Sequence, residues 1–231
     1  MVSLSSATIS LIVPAFNEEK NLPLLLERAQ KILPKCFAKY EIIIVNDGST
    51  DQTAAVLESW SKSEPALRVI DHPVNLGVGA ALKDAFHEAQ YEWLFQAPGD
   101  NQFDLMEIEK FVGDLDGADI VQGWRMNLEY NWQRKIVSAI YRALLRLLFG
   151  LWLKDPTWVK MIRKSVIDNL PVTTSGFFGE IEILIRAQRK GYRFKEVAVH
   201  THQRAHGVSS ASGWDRILKT FFELIKFWWK S

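Results

Sequence analysis

The feature that most constrains this chain is a repeated alternation in its first hundred or so residues. Short apolar runs of strand length are each followed by a polar turn, then by a stretch with apolar residues at helical spacing. Thr8–Val13 reads as a buried strand, and Glu18–Leu33 as a helix with Leu22, Leu25, Leu26 and Ala29 on one face. Glu41–Val45, Arg68–Ile70 and Trp93–Gln96 read as further strands, separated by a helix running through Trp60 and a helix over Val78–Ala89. This order predicts an α/β fold, Rossmann-like, with a mostly parallel central sheet and helices on both faces. Ligands of such sheets bind at the carboxyl ends of the strands, which is where the polar turns fall.

The second half is less regular. Ile120–Gly123 and Arg193–Val199 read as strands, and Arg134–Phe149 as a long helix. Glu180–Lys190 is a helix with Gly191 at its C′ position. Trp214–Trp229 is a terminal amphipathic helix. There is no internal repeat or linker, so residues 1–212 are expected to form one domain and 213–231 a C-terminal amphipathic helix.

With 48% apolar and 24% charged residues in 231, the chain buries a core and is neither disordered, collagenous nor disulfide-stapled. Its one cysteine, Cys36, has no internal partner, favours a reducing compartment and reads as a small core residue. The net charge of +1 conceals an asymmetry. Residues 1–120 hold 9 Lys and Arg against 19 Asp and Glu, and residues 121–231 hold 19 against 8. Seven of the nine tryptophans also lie in the second half. A basic, Trp-rich half points to an anionic membrane surface and away from nucleic acid. The plainer alternative is two halves that neutralise each other. No apolar run is long enough to span a bilayer, and Ile9–Val13 lacks the basic flank of a signal peptide, so a chain that does not cross the membrane is expected.

The glycines of Asn75-Leu76-Gly77-Val78-Gly79-Ala80 do not make a dinucleotide fingerprint, because they do not follow the first strand and Leu82 stands where a third glycine is needed. Three other segments belong together: Val13–Glu19, Val45–Asp51 and Gly99–Gln102. Each sets a carboxylate at the carboxyl end of a strand. Carboxylates there repel a bare phosphate, but suit ribose hydroxyls, a base edge, or a divalent cation that grips a diphosphate.

The order Pro-x-x-Asn-Glu, Asn-Asp-Gly-Ser-x-Asp, Asn-x-Gly-x-Gly-x-Ala and Asp-x-Gln resembles the family 2 glycosyltransferases of the GT-A fold. Gly123-Trp124-Arg125, Arg134-x-x-x-Ser138, Asp155-Pro156-Thr157 and Arg204-x-x-Gly207-x-Ser209 narrow the likeness to the dolichol-phosphate mannose synthase and polyprenol-phosphate glycosyltransferase group. It covers roughly residues 8–210. The resemblance implies a nucleotide-sugar donor, with Pro14, Phe16, Glu18, Val45 and Asp47 around the nucleoside and Asp100 and Gln102 binding Mg²⁺ or Mn²⁺ on the diphosphate. It also implies that Arg125, Arg134, Ser138, Arg204 and Ser209 hold the acceptor phosphate, with Asp100, Arg125 and Arg204 as the catalytic residues. One position departs from the pattern: Pro98 stands where the family usually has a first Asp. One protein oxygen is lost from the metal motif, which predicts a weaker metal site, a metal-independent enzyme or an inactive protein.

Arg134, Ser138, Arg142 and Arg146 recur at steps of four along one apolar helix, a stripe suited to a phosphate beside a greasy tail. His200, His202 and His206 lie close together and make a zinc site imaginable, although no Cys or acidic residue joins them locally. The expected function is inverting transfer of one sugar to a polyprenyl or dolichyl phosphate, by a protein peripheral on the cytoplasmic face of a membrane. The alternatives are a hydroxyl acceptor, a non-catalytic nucleotide-sugar-binding subunit, and recruitment by a membrane-protein partner. In the last helix Trp214, Ile217, Leu218, Phe221, Ile225 and Trp228 share a face that suits packing on the domain itself, but Phe222, Leu224 and Trp229 widen it and four basic residues flank it, which predicts an interfacial helix on anionic lipid.

Overall fold

The computed structural model describes residues 5–126, 132–170, 178–203 and 214–230, with the side chains of Ser5, Arg134, residues 214–219 and Lys230 outside the description. Among these residues a seven-stranded sheet forms the centre, in the order β3-β2-β1-β4-β6-β5-β7. Strands β1 (Ser5–Ala15), β2 (Phe37–Asp47), β3 (Leu67–His72) and β4 (Trp93–Gln96) are parallel neighbours, as the alternation predicts. β5 (Ile120–Arg125) and β7 (Phe194–Val199) are a second parallel pair. Between the two sets lies β6 (Lys160–Arg163), antiparallel to both β4 and β5.

Each strand feeds both faces of the sheet. Ile9, Leu11, Val13, Ile42 and Ile44 join one core, whereas Ile12, Ile43 and Val45 join the other. The first core is closed by α1 (Leu22–Cys36), α2 (Thr53–Ser61) and the segment through α4 (Glu109–Val112). Cys36 is buried there, and its thiol is pushed above its usual value by burial first and then by Glu109. The second core is closed by α3 (Val78–Glu88), α5 (Trp132–Phe149), α6 (Lys164–Asp168), α7 (Gly179–Arg189) and α8 (Trp214–Lys230). Two-sided burial explains why these strands read as near-continuous apolar runs.

Three expectations change in detail. The strand over Glu41–Val45 extends to Phe37–Asp47, following directly on α1. β6 has no expected counterpart, because Lys-Met-Ile-Arg shows only two apolar residues. It is buried nonetheless, since Lys160 at 1% side-chain exposure pairs with Glu180 at 2.8 Å. The terminal helix is oriented by Leu224 and Phe227, which enter the second core. Phe227 lies on the rings of Phe149 and Phe178, and Phe221 meets Tyr141 edge-on. Phe222, Ile225, Trp228 and Trp229 face outward. The side chains of Trp214, Ile217 and Leu218 lie outside the description.

Candidate active site

The carboxyl ends of β1, β2 and β4 bring the three carboxylate segments together. After β1 the chain turns through Asn17, held at φ 57°, a conformation that Asn tolerates through local hydrogen bonding. The next turn locks onto it. Asn17 N–H donates to Ser49 Oγ, Asn17 Oδ1 accepts from Thr50 N–H, and Glu18 N–H donates to Thr53 Oγ1, at 2.8–3.0 Å. Asp51 Oδ1 accepts from the N–H and hydroxyl of Thr53 at the start of α2. Glu18 is buried and accepts from Asn21 Nδ2 at 2.5 Å. Phe16, just beyond β1, is exposed, and Pro14 and Val45 pair near the carboxyl ends of β1 and β2.

The turn after β2 depends on a glycine. A Cβ on Gly48 would lie 2.3 Å from the carbonyl carbon of Val74, so no other residue lets the two loops meet. Asp47 is directed at the neighbouring loop. Its Oδ1 accepts from Leu76 N–H and its Oδ2 from Gly77 N–H, each at 2.8 Å, and His72 Nδ1 lies 2.7 Å from Oδ1. In the structure the Asp47 carboxylate is engaged in shaping Asn75–Gly77 before α3.

The metal motif sits beside the first turn. A Cβ on Gly99 would lie 3.2 Å from the Pro14 carbonyl oxygen, and Asn101, at φ 58°, donates from Nδ2 to the Asn21 carbonyl at 2.7 Å. Asp100 Oδ1 accepts from Gln102 N–H. The segment after β7 braces this loop from the other side. His202 N–H donates to the Gln102 carbonyl, Phe103 bridges to Thr201, and the Glu107 carboxylate accepts from His200 through both N–H and ring. Burial pushes the Glu107 carboxyl up, but hydrogen bonds from Lys110 and His200 outweigh it and hold the group below the usual carboxylate range. His200 and His202 thus turn to Glu107 and Asp104 respectively. His206 lies outside the described residues.

Asp100 and Gln102 offer hard oxygen donors, which suit Mg²⁺ or Mn²⁺, and Pro98 offers none. Among the described residues no group of three His, Cys, Asp or Glu side chains is arranged to hold a metal. The residues fit a one-carboxylate site whose remaining positions come from water and the diphosphate.

On the acceptor side Arg125 is anchored within the fold. Its guanidinium forks onto Asp155, Nε to Oδ2 at 2.6 Å and Nη2 to Oδ1 at 3.0 Å, and stacks 4.5 Å over Trp158. Both side chains are nearly buried, so the pair fixes the Asp155–Trp158 loop. Ser138 is half-buried on α5. The Arg134 side chain, Arg204 and Ser209 lie outside the described residues. Sequence reasoning missed His72, the Lys160–Glu180 pair and buried Gln122, whose amide donates to the carbonyls of Asp155, Trp158 and Val159. Asp47, Glu180 and Asp155, which engage them, lie 25, 20 and 33 positions away.

A seven-stranded α/β sheet with acidic turns at its carboxyl edge defines a glycosyltransferase of the GT-A fold. Residues 10–179 match glycosyl transferase family 2, and the chain belongs to that family. Over 231 aligned residues it is 31% identical to a dodecaprenyl-phosphate galacturonate synthase of Rhizobium johnstonii, covering 96% of this chain and 67% of that one. It is 27% identical to a polyprenol monophosphomannose synthase of Mycolicibacterium smegmatis, covering 87% and 80%. Among solved structures it resembles glucosyl-3-phosphoglycerate synthase from Mycobacterium tuberculosis in complex with Mn²⁺, uridine diphosphate and phosphoglyceric acid. The TM-score is 0.72 at 20% identity, covering 94% of this chain and 78% of that one, a likeness of fold.

Proposed function

We propose that this glycosyltransferase moves one sugar, with inversion, from a GDP- or UDP-linked donor to a polyprenyl or dolichyl phosphate at the cytoplasmic face of a membrane. The observation that carries the proposal is the meeting of the Glu18, Asp47 and Asp100 turns at one sheet edge, in a protein that also exposes an apolar, cationic helical surface. Polyprenyl-phosphate sugar synthases among the relatives support it.

The chemistry follows from the acceptor. A phosphomonoester has its second pKa near ~6 and is largely a dianion at neutral pH, so no side chain has to remove a proton. A phosphate oxygen attacks the anomeric carbon as the bond from that carbon to the diphosphate oxygen breaks, and the nucleoside diphosphate leaves with the electron pair. The protein's task is to align two anions and offset their repulsion. In this reading Pro14, Phe16, Glu18 and Val45 frame the nucleoside, and Asp47 sets the adjoining loop. Asp100 and Gln102 would hold Mg²⁺ or Mn²⁺, which supplies positive charge at the departing diphosphate. Arg134, Ser138, Arg204 and Ser209 hold the acceptor phosphate, and Arg125 acts through the loop it fixes.

The surface supports a lipid acceptor. Trp132, Ile136, Ile140 and Leu147 on α5 are exposed, as are Trp152 just beyond it and Phe222, Ile225, Trp228 and Trp229 on α8. α5 carries no acidic residue, and Arg146 stacks 5.1 Å over Trp152. Apolar and cationic groups on one surface suit an anionic membrane interface. No helix among the described residues is long and apolar enough to cross a membrane. Transfer assays with matched polyprenyl phosphate and polyprenol acceptors, with GDP- and UDP-sugars and Mn²⁺, test the reading. Transfer to the phosphate is expected; transfer to the alcohol alone would refute it.

A further inference from the structure

We infer that His72, which belongs to none of the motifs above, is a positioning residue for the donor site: its ring ties Asp47 to Asp84 and so fixes, through Asp47, the Asn75–Gly77 loop that borders the donor edge of the sheet. The inference rests on the reading of this edge as the donor site.

His72 ends β3, and its side chain is 6% exposed between β2 and α3. Nδ1 lies 2.7 Å from Asp47 Oδ1, and Nε2 lies 3.1 Å from Asp84 Oδ2. Asp47 is buried as well and gathers three donors: the ring and the two amides of Leu76 and Gly77. Gly77, at φ 91°, caps α3, so Asp47 is itself the anion received at the opening of this helix, and it holds the loop through both amides. Gly48 presses on Val74 and Asn75 from the β2 side, which leaves the loop confined between two strands' ends. Without the ring, Asp47 keeps only the two amides as its donors among these three, and its carboxylate gains freedom to turn. The loop then loses the fixed acceptor that sets its conformation.

The bridge has a chemical condition. A carboxylate only accepts, so both ring nitrogens donate only when the ring carries two protons. A neutral ring sets one bare nitrogen against a carboxylate. Among the described residues the charged groups in contact with the ring are Asp47 from β2 and Asp84 from α3. Asp71, the preceding residue, takes Asn46 Nδ2 on the opposite side of the strand pair. Asp84 is 49% exposed and solvates readily, so the hydrogen bond the ring has to keep is the one to buried Asp47.

Two measurements on the full chain test this. The first is amide hydrogen exchange at Leu76 and Gly77 without ligand. The second is calorimetry with UDP and with GDP, each with Mn²⁺. His72→Ala is expected to speed exchange at both amides about tenfold and to weaken nucleotide binding by a similar factor. His72→Asn places an amide N–H where Nδ1 stands and is expected to recover most of both losses. Unchanged exchange in His72→Ala overturns the tether, as does a His72→Asn variant that recovers neither loss. Faster exchange with unchanged nucleotide affinity overturns its role in the site. If His72→Ala does not fold, His72→Leu takes its place, and exchange no faster than in the wild type overturns the proposal. If the wild type binds neither nucleotide while exchange still depends on His72, the donor-site reading falls and the tether between Asp47 and Asp84 stands.

Discussion

Phe227 and Trp229 are two residues apart on α8 and do opposite jobs. Phe227 is 8% exposed, with its ring 5.8 Å from that of Phe149, 5.4 Å from that of Phe178, and 5.2 Å below the Arg186 guanidinium. Trp229 is 79% exposed. A buried aromatic side chain removes roughly 150–250 Å² from water, and at about 25 cal/mol per Å² that amounts to about 4–6 kcal/mol. Truncations of this kind cost about 3–5 kcal/mol. Phe227→Ala is therefore expected to destabilise by about 3 kcal/mol, the low end, because a C-terminal helix relaxes into the gap more easily than a central element. Denaturant unfolding measures the loss, and hydrogen exchange along α8 tells whether the helix undocks before the sheet melts. Trp229→Ala is expected to change stability by less than about 0.5 kcal/mol. Its effect belongs to the membrane. If about half the indole, roughly 100 Å², enters the interface, its loss weakens binding by about 2.5 kcal/mol, or roughly seventyfold in partitioning to phosphatidylglycerol vesicles at low salt. Equal destabilisation by the two variants would refute the assignment of faces, and unchanged vesicle binding by Trp229→Ala would refute insertion.

Asp155→Ala strands the Arg125 guanidinium and is expected to cost about 3 kcal/mol in denaturant unfolding; adding Arg125→Met should recover most of it, because the uncompensated charge goes with the pair. Asp100→Asn is expected to lower Mn²⁺-stimulated transfer by about a hundredfold or more with the melting temperature nearly unchanged, and Pro98→Asp to shift the Mn²⁺ titration to lower concentration. Glu107 is held below the usual carboxylate range, so its contribution to stability is present above the unfolded value and is lost as pH falls through the depressed folded one. Glu107→Gln should flatten that acid limb in a series of thermal melts, and an unchanged limb would place the titration elsewhere.

Much of the donor side was legible in the residues because its determinants are local. A buried parallel strand reads as an apolar run, and the turn that follows must supply its own hydrogen bonds. Asn46, Asp51 and Asp100 do so, each accepting from a backbone N–H two or three residues further on. The order of the segments then carries them to one edge, since parallel strands joined by helices all end on the same side.

What only the tertiary structure decided are the places where two distant segments neutralise each other's cost of burial. Lys160 looks like the polar end of a two-residue apolar run, and only Glu180, 20 positions on, makes it a buried strand residue. Arg125 reads as a free phosphate ligand until Asp155 meets its fork. Asp47 reads as an open carboxylate until Leu76, Gly77 and His72 surround it. In α8 the sequence makes an apolar helix face broader than the core beneath it can cover. The rings of Phe149, Phe178 and Tyr141 choose Phe221, Leu224 and Phe227, and leave Trp228 and Trp229 outside. Sequence patterning fixes which residues prefer water's absence; the partner that makes burial affordable for a charge, or selects one apolar face over another, exists only once the chain has folded.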